Sequence, residues 1–334
     1  MVKRVYSHSS KVLNFEFVQN KEDFIVEEKP ITFTNKGNFL ILKVKKINMD
    51  TWDLIDILSK FLNIYSNEIG YAGLKDKKAT TTQYISVPKR FTKKLKEFSH
   101  KKIEILDSFL HNKSLNIGDL KGNHFKINLY KVSATDLTYI QRRLKKVSKT
   151  GLLNYFGFQR FGIDIEENLE KAKRLIEGDL FIKDRKLKKM LIMAYQSSFF
   201  NSWLVNRFKL SNENFFDLME GDVFYDIRRV KYFTPKSLSN HILESYSLKE
   251  IVPTGLLPGR RAFRAISKAR EIEKKYDDEY IQEKGYRREA IVYPKNIDCK
   301  YNKDEEKCSL SFLLPKGSYA TVLIEAIANK NFSS

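Results

Sequence analysis

The apolar positions of this chain change period along its length. Early on they alternate with polar ones: residues 13–18, 23–28 and 39–45 each read as a strand, and Asn35, Lys36, Gly37 and Asn38 turn the chain into the third. Residues 50–62 switch to helical spacing, with Asp50 or Thr51 as cap and Leu54, Ile55, Leu58, Phe61 and Leu62 on one face. Alternation returns at residues 83–87, 103–109 and 124–130, and residues 120–125 read as the turn feeding the last of these. A basic helix over residues 135–147 follows. Strands and helices mix without a strict βαβ rhythm, which predicts an α+β fold on a largely antiparallel sheet with flanking helices.

From Asn154 the texture differs. Tyr155 to Gly162 is rich in glycine and aromatic residues, and helical patterns follow over residues 166–177, 184–207 and 267–275. Residues 252–264, with two prolines and an arginine cluster, read as a loop. The chain returns to strand patterns at 287–294 and 308–314, turns at Pro315–Tyr319 and closes with a helix over 320–328. The expected organisation is one β-rich domain built from residues 1–155 and 297–334, interrupted by a mainly helical insert over 156–296.

Charge narrows the partners. Sixty-one Lys and Arg against forty-one Asp and Glu give +20 over 334 residues, which implies a polyanion: nucleic acid first, an anionic membrane surface second. The 24 Phe and 17 Tyr interleave with basic residues, a mixture that lets bases stack while phosphates are neutralised. No apolar run has transmembrane length, and the first residues lack the apolar core of a signal peptide, so a cytoplasmic protein is expected. Cys299 and Cys308 match no metal spacing and are read as reduced bystanders; His8, His100, His111, His124 and His241 are scattered. There is no GxGxxG, Walker A, GxSxG or HExxH pattern, so neither a nucleotide cofactor nor a metal is expected. The chemistry must then run on ordinary side chains.

Residues 70–87 are the candidate for it. Gly70 and Gly73 flank Tyr71 and Ala72, then Lys75, Lys77 and Lys78 surround the lone carboxylate of Asp76, and Thr80, Thr81, Thr82 and Gln83 follow. Such neighbours favour the ionised acid, which suits a nucleophile better than a general acid. On residue type alone, an acid in such a turn is first a turn former.

Several separated stretches change that balance. Residues 22–27 with their Glu-Asp-Phe start, 73–83 with Gly-Leu-Lys-Asp-Lys, 120–125, 154–162 and 314–320 occur in this order, and together the chain resembles the tRNA pseudouridine synthase D (TruD) family over nearly its whole length. Residues 196–201 and 253–259 look like that family's insert. The resemblance implies a catalytic domain of pseudouridine-synthase fold carrying an inserted TRUD domain, with RNA in the cleft between them. It also implies isomerisation of a tRNA uridine, position 13 of the D arm in the bacterial family, by cleaving N1–C1′, rotating the base and joining C5 to C1′. No cofactor is implied, because nothing is oxidised, reduced or lost.

Asp76 falls on the family's catalytic aspartate, where a carboxylate attacks covalently or stabilises positive charge at the sugar. Phe24, Phe125 and Tyr319 match aromatic positions in or beside the base pocket, and Asn123 matches an amide that hydrogen-bonds the nucleotide. Without the resemblance, Phe24 reads as core and Asn123 as a turn residue. Two positions depart from the pattern: Tyr319 stands where the family often has Phe, and Val18 stands where a basic residue pairs with the catalytic acid. Lys75, Lys21 or Lys11 could take over that pairing. Gln159 and Arg160, at the domain junction, read equally as support for the site or as packing. Arg260, Arg261, Arg264, Arg287 and Arg288 are candidate phosphate contacts, against the plainer reading of a solvated charged face. A monomer with tRNA as partner is expected. The rivals are a non-catalytic tRNA-binding protein or RNA chaperone, which has no use for Asp76, and a nuclease or methyltransferase, which lacks its metal cluster or glycine loop.

Overall fold

The computed structural model describes residues 2–6, 11–211 and 215–332; His8 lies outside them. In chain order, strands β1 (Phe24–Pro30) and β2 (Phe39–Ile47) lead into helix α1 (Thr51–Leu62). Then come the short β3 (Gly70–Tyr71), β4 (Thr80–Pro88), β5 (Ile103–His111), β6 (Leu120–Leu129) and helix α2 (Ala134–Thr150). After β7 (Leu152–Leu153) follow helices α3 (Ile165–Glu177) and α4 (Arg185–Leu210), the hairpin of β8 (Phe224–Asp226) and β9 (Lys231–Phe233), and α5 (Asn240–Ser247). The rest is β10 (Ile251–Leu257), α6 (Ser267–Glu273), β11 (Tyr286–Glu289), β12 (Ile291–Val292), β13 (Lys295–Asn302), β14 (Lys307–Pro315) and α7 (Ala320–Ala328). The fold is α+β, as the mixed periods require.

Backbone contacts divide the chain into two compact units: Asn14–Leu144 with Pro294–Gly317, and Met1–Leu13 with Lys145–Tyr293 and Ser318–Ser334. The first, here the sheet unit, is built on strands in the order β13-β14-β6-β1-β4-β2-β5, with β3 added to β4. All its pairings are antiparallel except β1 with β4. Helix α1 starts where Asp50 accepts from Asp53 N at 2.8 Å and ends at Asn63 in the left-handed conformation. Its apolar stripe, Leu54, Ile55, Leu58 and Leu62, packs on Leu40, Leu42, Val44, Ile85 and Val87 of the sheet. Ile41 and Tyr84 point the other way, toward Leu115, Phe33 and Phe109.

Two expectations for this unit change. Residues 120–125 are strand rather than turn: Gly122 lies between Lys29 and Pro315, and a Cβ there would sit 2.3 Å from Leu314 O. Glycine is required by close backbone approach, not by a turn. The stretch 13–18 contributes only the bridge of Glu16 with Tyr130. Cys299 and Cys308 lie on adjacent strands with their sulfurs 3.1 Å apart.

In the second unit, here the helical unit, strands order as β11-β10-β8-β9, with β7 paired to β12. Residues 251–257, expected as part of a loop, are a fully buried strand. Two signals misled there: Pro253 is the last residue paired with β8, and Gly255 lets α4 close onto bare backbone. A Cβ on Gly255 would meet the Trp203 ring at 2.4 Å. Within the same unit, the Arg4 guanidinium pairs with Glu325 of α7, both fully buried, and Tyr6 donates to the same carboxylate.

Candidate functional site

The inward face of the sheet unit changes character halfway along its strands. On β2 the alternation Leu40, Leu42, Val44 continues to Lys46, which is fully buried in a position the pattern reserves for an apolar side chain. Register then lays a polar strip across the strands. Lys46 pairs with Thr81 of β4, Gln83 is two residues on, and Glu28 of β1 pairs with Asn123 of β6. Lys46, Thr81, Gln83 and Glu28 are each 1% exposed or less. Three atoms in the strip, Thr81 Oγ1, Gln83 Nε2 and Asn123 Oδ1, are buried without a hydrogen-bond partner. Buried polar groups are nearly always satisfied, so three orphans in one strip single it out as a candidate site.

The loop carrying Asp76 is fastened to this strip. Thr51, the first residue of α1, accepts from Lys75 N at 2.9 Å and donates to Gln83 Oε1 at 3.1 Å. Lys75 Nζ reaches Glu28 Oε2 at 2.6 Å, and both side chains are buried. Thr80 Oγ1 donates to Lys21 O at 2.7 Å, and Asn48 N donates to Ala79 O at 3.1 Å. Between these anchors the Asp76 side chain projects into solvent, touched by Gln19 Nε2 at 3.4 Å. Although its surface is open, protein crowds it on the remaining sides. That burial raises its carboxyl above the usual aspartate range, against the opposing pull of Gln19, Lys46 and Lys75. The product is an accessible, poorly solvated carboxylate on a fixed loop.

The aromatic candidates of this unit are deep in it. Phe24 is 2% exposed, its ring 6.0 Å from that of Phe125, which in turn stacks on Phe312 at 5.5 Å. They extend the strip's face as apolar floor and present no open ring. Among the proposed cations, Lys21 pairs at the surface with Glu22 at 3.3 Å, Lys75 is bound to Glu28, and Lys11 belongs to the other unit. Val18 is exposed. Sequence reasoning passed over Lys46 and Gln19. A lysine on the apolar phase of an alternating strand was the available signal for the first; for the second there was only its place beside Val18.

Gln159, Arg160, Tyr319 and the five remaining arginines belong to the helical unit. There Tyr319, the residue before α7, is half-buried, edge-on to Phe156 at 6.1 Å. Gln159 Oε1 accepts from Thr321 Oγ1 at 3.2 Å, and Arg160 Nε donates to Ser197 Oγ at 3.0 Å. The Arg288 guanidinium lies 3.9 Å from the Phe156 ring centre and 5.9 Å from that of Tyr319, while donating to Asn154 O and Oδ1 at 2.8 Å. Burial lowers it to about 10, an unusual environment for arginine. Arg287 is likewise inward, ion-paired to Glu273 and donating to Thr254 Oγ1 at 3.0 Å. Both guanidiniums spend their donors inside the protein, and Arg264 is engaged by Asp277 at 2.7 Å. Of the arginines considered for phosphate, only Arg260 and Arg261 are exposed.

Among the described residues no group of His, Cys, Asp and Glu could hold a metal, and no helix is long and apolar enough to cross a membrane. The profile of the family described as tRNA pseudouridine synthase D (TruD) matches residues 2–182 and 167–327. The tRNA pseudouridine synthase D of Sulfurimonas denitrificans is 39% identical, over 98% of this chain and 99% of the relative. That of Nitratiruptor sp. is also 39% identical, over 98% of each. A crystal structure of the tRNA pseudouridine synthase D from Methanosarcina mazei superposes with a TM-score of 0.75 over 99% of this chain and 97% of that one; at 22% identity it speaks for the fold alone. With matches spanning both units and almost every residue, this chain belongs to the tRNA pseudouridine synthase D family.

Proposed function

We propose that the protein converts the uridine at position 13 of the tRNA D arm to pseudouridine, with Asp76 as the reacting carboxylate. Family membership supports the reaction class, and the observation that carries the residue assignment is the environment of Asp76: open to solvent, poorly solvated and set on an anchored loop. The target base must leave its helix to reach such a group. The carboxylate then attacks or stabilises C1′ as N1–C1′ breaks; the uracil turns; C5 bonds to C1′, displacing the carboxylate where it had attacked; the C5 proton departs and N1 regains one. Substrate and product are isomers, so the balance closes without an external electron or group donor.

In this reading Asn123, whose Oδ1 is an orphan acceptor, takes a donor from the uridine. Phe24 and Phe125 give the pocket an apolar floor; Tyr319, in the helical unit, is a separate candidate for stacking on RNA. Arg260 and Arg261 hold phosphates. Residues 156–296 act as the inserted domain. Asp76→Asn is expected to abolish pseudouridine formation on tRNA while tRNA affinity stays within about threefold, because many cations, not one acid, carry binding. Mapping pseudouridine in tRNA from cells with and without the protein tests the site: signal lost at position 13 supports it, and an unchanged map favours a non-catalytic tRNA-binding protein.

A further inference from the structure

We propose that Lys46 supplies the counter-charge of Asp76, a positioning residue on β2 that does from beneath the strip what Val18 cannot do from the segment before β1. This rests on Asp76 being the reacting carboxylate. An ammonium in a fully buried position is costly unless a negative charge answers it. The hydrogen bond from Lys46 Nζ goes to a neutral acceptor, Met49 O, so the charge itself must be met through space.

Three carboxylates act on the charge of Lys46: Asp50 from the start of α1 most strongly, then Asp76 from the loop before β4, then Asp53; Lys75 opposes it. Asp50 is occupied capping α1, and Asp53 accepts from Asp50 N and lies 3.6 Å from Lys77 Nζ. Asp76, by contrast, has no ion-pair partner within 4.0 Å among the described residues. Lys75 is the other nearby cation, but its ammonium is already bound to the buried Glu28 at 2.6 Å. The result is a contact pair, Lys75 with Glu28, and a buried ammonium, Lys46, whose charge is met through space by Asp50 and Asp76 together. Of the cations acting on Asp76, Lys46 has the larger effect, ahead of Lys75. Lys46 is buried while Asp76 is open to solvent, so water screens the pair on one side only and the two act on each other without touching. Burial in turn lowers Lys46 to about 8, so its charge is lost just above neutrality.

The test is the pH profile of single-turnover pseudouridine formation on tRNA from about pH 6 to about pH 9 for wild type, Lys46→Met and Lys46→Arg, with Asp76→Asn alongside. The wild-type rate is expected to fall on the alkaline side with a midpoint near the Lys46 value of about 8. Lys46→Met should be roughly 100-fold slower at neutral pH, the loss typical of one preorganised electrostatic group, and should lack that alkaline limb. Lys46→Arg keeps a charge that does not titrate in this range and should restore much of the rate without the limb. Binding of tRNA should change by no more than a few-fold in either variant. A wild-type rate flat across the range, or a Lys46→Met variant that keeps the wild-type limb at any rate, overturns the proposal. The wild-type and arginine profiles decide it even if the methionine variant does not fold. An active Asp76→Asn would instead overturn the assignment of Asp76, and so separates the two failures.

Discussion

Lys46 and Asp76 are both charged where charge is expensive, and stability should report it. Lys46 has a folded value of about 8 against an ordinary 10.5, so between those values the unfolded chain binds more protons and stability rises with pH. A shift of that size corresponds to about 3 kcal/mol. Lys46→Met, which carries no such cost, should therefore melt higher than wild type at neutral pH, with the gap closing as pH climbs from about 8 to 10.5. Asp76 has the opposite sign. Its folded value lies above the ordinary 3.8, so the stability tied to its protonated form is intact below 3.8 and lost as pH rises through the higher folded value. Asp76→Asn should gain on wild type in melting temperature as pH is raised from acid to neutral; thermal melts across that range check both signs. If Asp76 is the reacting carboxylate proposed above, such a stability cost is expected of it; a turn former would carry none.

The strand and helix patterns show which parts of this site could be read in advance. Where one face is buried and the other wet, period alone located β2, α1, β5 and most of β6, and α4 was placed by its long apolar repeat. Reading failed where a residue type signals one local structure but is demanded by a tertiary contact. Gly122 looked like a turn and is a strand under a neighbouring carbonyl; Pro253 and Gly255 looked like a loop and form a buried strand under Trp203. In the same way Asp76 stood out as a candidate because its motif is contiguous, whereas Lys46 and Thr51 join that region only through sheet register and helix packing. Thr51 tests that dependence. Its hydroxyl joins Gln83 to the backbone of Lys75, so Thr51→Val leaves a buried N–H and a carbonyl unanswered, at a cost of about 1–3 kcal/mol. The loop bearing Asp76 should loosen, and single-turnover rate should fall about tenfold with tRNA affinity unchanged, since misplacement penalises the reacting geometry and not the binding surface.

Net charge of +20 describes the whole chain, but its arginines divide by burial into two classes with opposite consequences. Arg260 and Arg261 are exposed in the turn after Gly259, and Arg261 adopts the left-handed conformation at φ 57°. Removing both should weaken tRNA binding uniformly across tRNA species. The slope of log affinity against log salt should fall by about one to two, one counterion-releasing contact per arginine, while the melting temperature holds. Arg287 is closed in by Glu273, Thr254 and Phe263 O. Arg287→Ala strands the Glu273 carboxylate in the interior, and the loss expected for breaking a buried pair is about 3–5 kcal/mol. Its tRNA affinity should therefore drop only in step with the folded fraction, and its salt slope should match wild type. Titrations at several salt concentrations, paired with thermal melts of the same preparations, separate the two. A flat slope change in the Arg260/Arg261 double variant would remove the turn after Gly259 from the RNA-binding surface. A reduced slope in folded Arg287→Ala would mean that this buried guanidinium meets phosphate after all.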